Sequence, residues 1–171
     1  METRENRIEL DDCCRIFDYT PDSLSKQIVL DIKELNTTYR KANLEEFEEY
    51  LLYVLKRMSA PNITRTRDKN LEIFEKGWQE NLDLLIRDGI SSVSLKPKYF
   101  RQSKFLRYDK KLIVSDNLNI EHDLFTMTRY IIFTKYLSSY DNIYELGCGS
   151  CQNLLMLSEL FPSKNLYGLD W

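Results

Sequence analysis

The chain contains no run of about 18 apolar residues, so it offers no membrane-spanning helix. Its first residues, Met1-Glu-Thr-Arg-Glu-Asn-Arg7, are charged and lack the apolar core of an export signal. With no such signal the cytoplasm is the expected compartment. The four cysteines are then expected as reduced thiols rather than as a disulfide framework. A strong excess of one charge is lacking too. The formal net charge of −3 gives no global reason to expect nucleic acid or an anionic membrane as partner. There is a single histidine, His122, which leaves little room for imidazole-based chemistry. No internal repeat and no low-complexity linker occur. Asn36-Thr-Thr and Asn62-Ile-Thr match the glycosylation triplet, which carries no meaning in a cytosolic chain.

What is present is a chain of 171 residues, enough for one domain or one and a fraction. Residues 1–19 are charged and irregular, with Cys13-Cys14 and Ile16-Phe17 as a small apolar island. A first helix is predicted to start at Thr20 as N-cap with Pro21 behind it, carrying Leu24, Ile28, Ile32 and Leu35 at helical spacing. A second opens with Asn43 and Glu46 in capping-box spacing and carries Leu44, Phe47, Leu51, Val54, Leu55 and Met58, with Pro61 beyond its end. A third caps at Asp68 and carries Leu71, Phe74, Trp78, Leu82 and Leu85. Gly89 suits the left-handed position after its last turn. Gly77 inside it marks a kink or a close contact. Trp78 on that stripe is expected in the core.

From Ser91 to Asn119 the helical period fails, and Val93–Leu95 and Leu112–Val114 read as short strands. Between them, residues 96–111 interleave seven basic residues with Tyr99, Phe100, Phe105 and Tyr108. Such a run can hold nucleic acid or a phosphorylated substrate, but the commoner outcome is a solvated face whose aromatics pack inward. Tyr99, Arg101 and Tyr108 are its candidates for a lid or substrate edge. A fourth helix spans about Ile120 to Ser138 and begins near His122, which favours a surface or capping role for that histidine over a catalytic base.

The richest stretch lies near the C-terminal end. Ile143 to Leu146 is an apolar run that reads as a buried strand. Gly147-Cys-Gly149 makes a tight turn, and Cys151, Leu154, Leu155 and Ser158 begin a helical period. Asn165 to Leu169 is a second strand, and Asp170 follows it. A β-turn-α-β unit with glycines in its turn and an acid at the second strand's tip has the form of a nucleotide-binding unit. The glycines allow close approach of the backbone, and the carboxylate offers two acceptors to ribose hydroxyls.

These residues resemble motif I of the class I S-adenosylmethionine-dependent methyltransferases, which reads E/D-x-G-x-G-x-G with an acid after the next strand. Here it reads Glu145-Leu-Gly147-Cys-Gly149-Ser-Cys151, with Asp170 in the acidic position and Cys151 in place of the third glycine. The resemblance covers about the last 50 residues. It implies S-adenosyl-L-methionine as cofactor, methyl transfer to an unidentified acceptor, and a cofactor site at Glu145, Gly147, Cys148, Gly149 and Asp170. In the roles it implies, Glu145 orients the methionyl amino group and the two glycines admit the methionyl part. The backbone near Ser150, Cys151 and Gln152 faces the carboxylate, Asp170 takes the ribose, and Trp171 edges the adenine or is merely the last residue. No catalytic residue and no metal ligand is assigned.

Other readings of the same residues compete. Cys148-Gly-Ser-Cys151 is a C-x-x-C at a helix start, the placement of a thiol-disulfide redox centre. A zinc site lacks a second ligand pair of suitable spacing. A non-catalytic scaffold on the same fold is a third reading, and a bland one treats both cysteines as small packing residues. The expected architecture is α/β. An N-terminal helical region over residues 1–118 leads into a Rossmann-like methyltransferase domain over residues 119–171, of which only the first βαβ unit is present. Two parallel strands cannot cover their own faces. The chain therefore reads as the N-terminal part of a longer enzyme, inactive as it stands, with Ile143, Leu146, Leu166 and Leu169 partly exposed.

Overall fold

The computed structural model describes residues 6–59, 67–92, 94–97 and 103–170. Pro61, Val93, Tyr99, Phe100, Arg101 and Trp171, all named above, lie outside them. The described residues form a mixed α/β structure of six α-helices and two small sheets. They fall into two compact units. The first comprises residues 1–66 and 102–128, and the second residues 67–101 and 129–171.

In the first unit, β1 (Asn6–Arg7), α1 (Leu10–Ile16), α2 (Lys26–Glu34), β2 (Thr38–Lys41) and α3 (Leu44–Ser59) follow in order, and β3 (Phe105–Tyr108) and β4 (Lys111–Val114) return later. The strands make one antiparallel sheet in the order β1-β2-β4-β3. The region expected to be helical thus contains a sheet as well. Its seam is fixed by Thr37, whose buried hydroxyl donates to the Ile8 carbonyl at 2.7 Å while Ile8 N–H donates to the Thr37 carbonyl at 3.2 Å. Strand β4 matches the expected run at Leu112–Val114. It is joined to β3 by Asp109 and Lys110, both at positive φ (45° and 62°), the backbone that suits a two-residue hairpin. Ile8, Cys14, Ile32, Ile113, Ile120 and Met127 form the core of this unit, each at most 2% exposed.

Residues 1–19, expected to be irregular, contain β1 and α1. Cys13 and Cys14 are buried, and burial together with Asp12 pushes the Cys13 thiol up to about 11. The first predicted helix starts later than its sequence signal. Thr20-Pro21 opens only a single 3-10 turn, Pro21–Ser23, and Leu24 is extended. Ser25 is the N-cap of α2, its hydroxyl accepting from Ile28 N–H at 3.3 Å. Two caps five residues apart competed, and the one with a side-chain bond to the helix prevailed.

The capping box of α3 is as its spacing predicts. Asn43 Oδ1 accepts from Glu46 N–H at 2.9 Å, and Glu46 Oε2 accepts from Asn43 N–H at 3.0 Å. Arg40 of β2 grips the same carboxylate with two nitrogens, at 2.7 and 2.5 Å. This holds Glu46 down to about 2. At the surface such a pair is worth about 1 kcal/mol, present above the ordinary carboxylate range and lost as pH falls through 2.

The second unit begins with α4 (Arg67–Asp88), which runs unbroken through buried Gly77 and ends at Gly89 with φ +74°, the left-handed position expected of it. Ser94 and Leu95 lie in a turn rather than a strand. Helix α5 (Ile120–Leu137) spans both units in sequence, and its second half leads into β5 (Asn142–Leu146), α6 (Gln152–Leu160) and β6 (Asn165–Leu169). Strands β5 and β6 pair in parallel, Ile143 opposite Leu166 and Leu146 opposite Leu169. Ile131, Ile143, Met156 and Leu157 are buried around them.

Candidate functional site

Strand β5 delivers its last residues to the carboxyl end of the parallel pair, where β6 also ends. Leu169 ties the two ends together: its carbonyl accepts from Gly147 N–H at 2.7 Å and from Cys148 N–H at 3.2 Å. The chain then turns through Gly147 (φ +72°) and Gly149 (φ +52°) and reaches Cys151 (φ +62°), the N-cap of α6. Gly147 is glycine for its backbone, since the space where a Cβ would stand is open to 4 Å. Cys151 occupies a left-handed conformation that glycine adopts without strain.

Gly168 is glycine for a different reason. A Cβ there would come within 2.6 Å of Leu154 Cδ1 and 2.9 Å of Cys148 Sγ. The absent side chain lets β6 lie directly under the turn and α6. Nothing in the sequence period marked it.

Glu145, opposite Gly168 in the register, is half-buried. Its Oε1 accepts from Asn153 Nδ2 at 2.6 Å. Its Oε2 and Asn153 Oδ1 are buried without a hydrogen-bond partner. Burial raises the Glu145 carboxyl above its usual range, Asn153 and Arg129 pull it back, and Asp170 pushes it further up. Arg129 of α5, half-buried, is lowered by its own burial and raised by Glu145, and donates to Gln152 Oε1 at 3.5 Å. Two adjacent acceptor oxygens that lack donors, beside a carboxylate, suit a cationic donor such as an ammonium group. Arg129 and Asn153 were not singled out from sequence. Asn153 lies eight residues beyond Glu145 and Arg129 on the preceding helix, so only the folded chain brings them to it.

Glu145, Gly147, Cys148, Gly149 and Asp170 are thus brought to one edge, with Asp170 exposed directly after β6 and its charge felt by both Glu145 and Cys151. The sulfurs of Cys148 and Cys151 are 3.7 Å apart. Burial, the bond to Cys148 and the nearby negative charges push the Cys151 thiol up to about 11. A helix start would favour the thiolate, but at neutral pH this thiol stays protonated.

His122 and Tyr108 belong to the first unit. Tyr108 packs against Tyr39, ring centroids 6.0 Å apart, as an inward-packing aromatic does. Trp78, expected in the core, is half-buried and edge-on to Phe74. Among the described residues no three metal-ligating side chains cluster, and no helix is long and apolar enough to cross a membrane. Comparison with protein-family models, with curated proteins and with solved structures finds no match to this chain.

Proposed function

We propose that this chain carries the cofactor site of a class I S-adenosylmethionine-dependent methyltransferase, built on the first βαβ unit of a Rossmann-like domain. The observation that carries the reading is the convergence of a glycine turn, a half-buried carboxylate with an unpartnered oxygen and a second acid at the carboxyl end of one parallel strand pair. Ligands of open α/β sheets bind at that end. The positive φ of Cys151 adds support, because the motif's third glycine stands at this position.

The residues fit the cofactor's groups. Glu145 Oε2 and Asn153 Oδ1 are the acceptors for the methionyl ammonium, and the backbone at Gly147 and Gly149 leaves room for its chain. Asp170 accepts from the two ribose hydroxyls. When bound, S-adenosylmethionine supplies an electrophilic methyl group. The protein's part is to hold it and to bring an acceptor into line. The acceptor and the residues that activate it are not assigned. An amide-shift titration of Asp170→Ala is the test: cofactor binding weakens by about 1–3 kcal/mol, and an unchanged affinity removes Asp170 from the site.

The redox reading has one observation in its favour, the 3.7 Å between the sulfurs. It gives Glu145 and Asp170 no task. The scaffold reading shares every residue with the proposal and differs only in lacking turnover.

A further inference from the structure

Within the second unit, α4 and α6 flank an apolar groove of about 900 Å³ that is open to solvent, with Phe74, Leu82 and Ile90 of its lining 45%, 48% and 75% exposed. Its walls are apolar, with Phe74, Trp78, Leu82 and Leu85 from α4 and Leu154 and Leu155 from α6. Gly149, Ser150 and Cys151 also line it, so it reaches the glycine turn, whereas Glu145, Gly147 and Asp170 are not among its walls.

The frame around this space is held by specific hydrogen bonds. Asn81, 4% exposed, donates to the carbonyls of Ser94 at 2.9 Å and Lys96 at 2.8 Å. Ser94 Oγ donates to the Gly89 carbonyl at 2.7 Å. Ser150 Oγ donates to the Leu95 carbonyl at 2.6 Å, fastening the turn after α4 to the glycine turn. Asn81, Ser94 and Ser150 are thus engaged with backbone carbonyls around the groove, and most of its remaining lining is apolar.

A groove of this size lies within the range of small-molecule sites, about 300–1,000 Å³. An anion fits it poorly. Among the described residues the lining contains no Lys, Arg or His, and Glu75 is the one carboxylate. A negative charge set against these side chains finds no cation to pair it.

We propose that this groove binds an uncharged, largely hydrocarbon molecule. Because the groove reaches Gly149, that molecule is the apolar body of the methyl acceptor, a part of the proposal that rests on the methyltransferase reading. The acceptor class is then a neutral lipophilic compound rather than a nucleic acid, a phosphorylated metabolite or a free acid.

The test uses two probes of similar shape and different charge, neutral phenylnaphthylamine and anionic anilinonaphthalene sulfonate. They are titrated into the full chain carrying Trp171→Phe, so that Trp78 is the one tryptophan. The neutral probe should bind saturably, one per chain, quench Trp78, and bind at least about tenfold more tightly than the sulfonate. Leu155→Glu, which adds a second carboxylate to the wall, should weaken the neutral probe by at least about tenfold in a chain whose circular dichroism is unchanged. If that variant does not fold, Trp78 quenching and stoichiometry in the parent chain decide. No saturable binding, a preference for the sulfonate, or full binding by folded Leu155→Glu would overturn the proposal. A parallel titration with S-adenosylmethionine separates the two readings. Probe binding without cofactor binding keeps the groove site and removes the methyltransferase. Cofactor binding without probe binding does the reverse.

Discussion

Burial raises the Glu145 carboxyl, and Asn153 and Arg129 offset this only in part. A carboxyl raised in the folded state is favoured there in its neutral form. Its stabilising contribution is complete below the ordinary carboxylate pKa, about 4.3, and is lost as pH rises through the folded value. At neutral pH the side chain therefore weighs against the unliganded fold. Glu145→Gln should raise the melting temperature at neutral pH and leave it unchanged near pH 3, while weakening cofactor binding. Thermal melts at both pH values check this, and a gain of equal size at each would mean that charge is not the cause. Cys151 carries a different strain, a side chain at φ +62°. Cys151→Gly should stabilise the protein by about 1 kcal/mol in urea denaturation. A loss of stability would show that packing of the thiol outweighs its backbone cost. The placement of Glu145 and the turn at the end of one strand, and of Asp170 directly after the next, was legible in the sequence because each adjoins an apolar run. Arg129 and Asn153 were not, because no spacing rule links them to a carboxylate on another element.

The unit of β5, α6 and β6 owes its compactness to Gly168. Gly168→Ala would drive a methyl group into Leu154 and Cys148. Overpacking of this kind costs about 1–3 kcal/mol, and chemical denaturation should show a loss in that range. No loss would mean that Leu154 swings aside freely. Elements with strong local signals were readable. The α3 capping box, Gly89 after α4, and both parallel strands stand where their residues predict. Of the antiparallel sheet of the first unit only β4 was readable. Its strands are two to four residues long, and partners such as Asn6 and Tyr39, or Arg40 and Val114, are far apart in sequence. No periodicity develops over so few residues, and pairing is decided by tertiary packing.

Across the whole molecule, the parts of the proposed site and the apolar groove belong to the second unit, while the acid-sensitive cap of α3 and the buried thiols belong to the first. The parallel pair leaves Leu146 and Leu169 73% and 57% exposed, as expected of two strands alone, whereas Ile143 is buried. The proposed cofactor site stands at the open edge of two strands, and the affinity of residues 1–171 for S-adenosylmethionine is expected to be about millimolar. A probe that works at weak affinity is available in the composition. The chain has only five glycines, Gly77, Gly89, Gly147, Gly149 and Gly168, so selective nitrogen-15 labelling gives one amide signal each. Titrating S-adenosylmethionine into this sample should move the Gly147 and Gly149 signals and leave Gly77 and Gly89 in place, with the movement lost in Asp170→Ala. Five unmoved signals at saturating cofactor, or movement confined to Gly77 and Gly89, would contradict a cofactor site at the glycine turn.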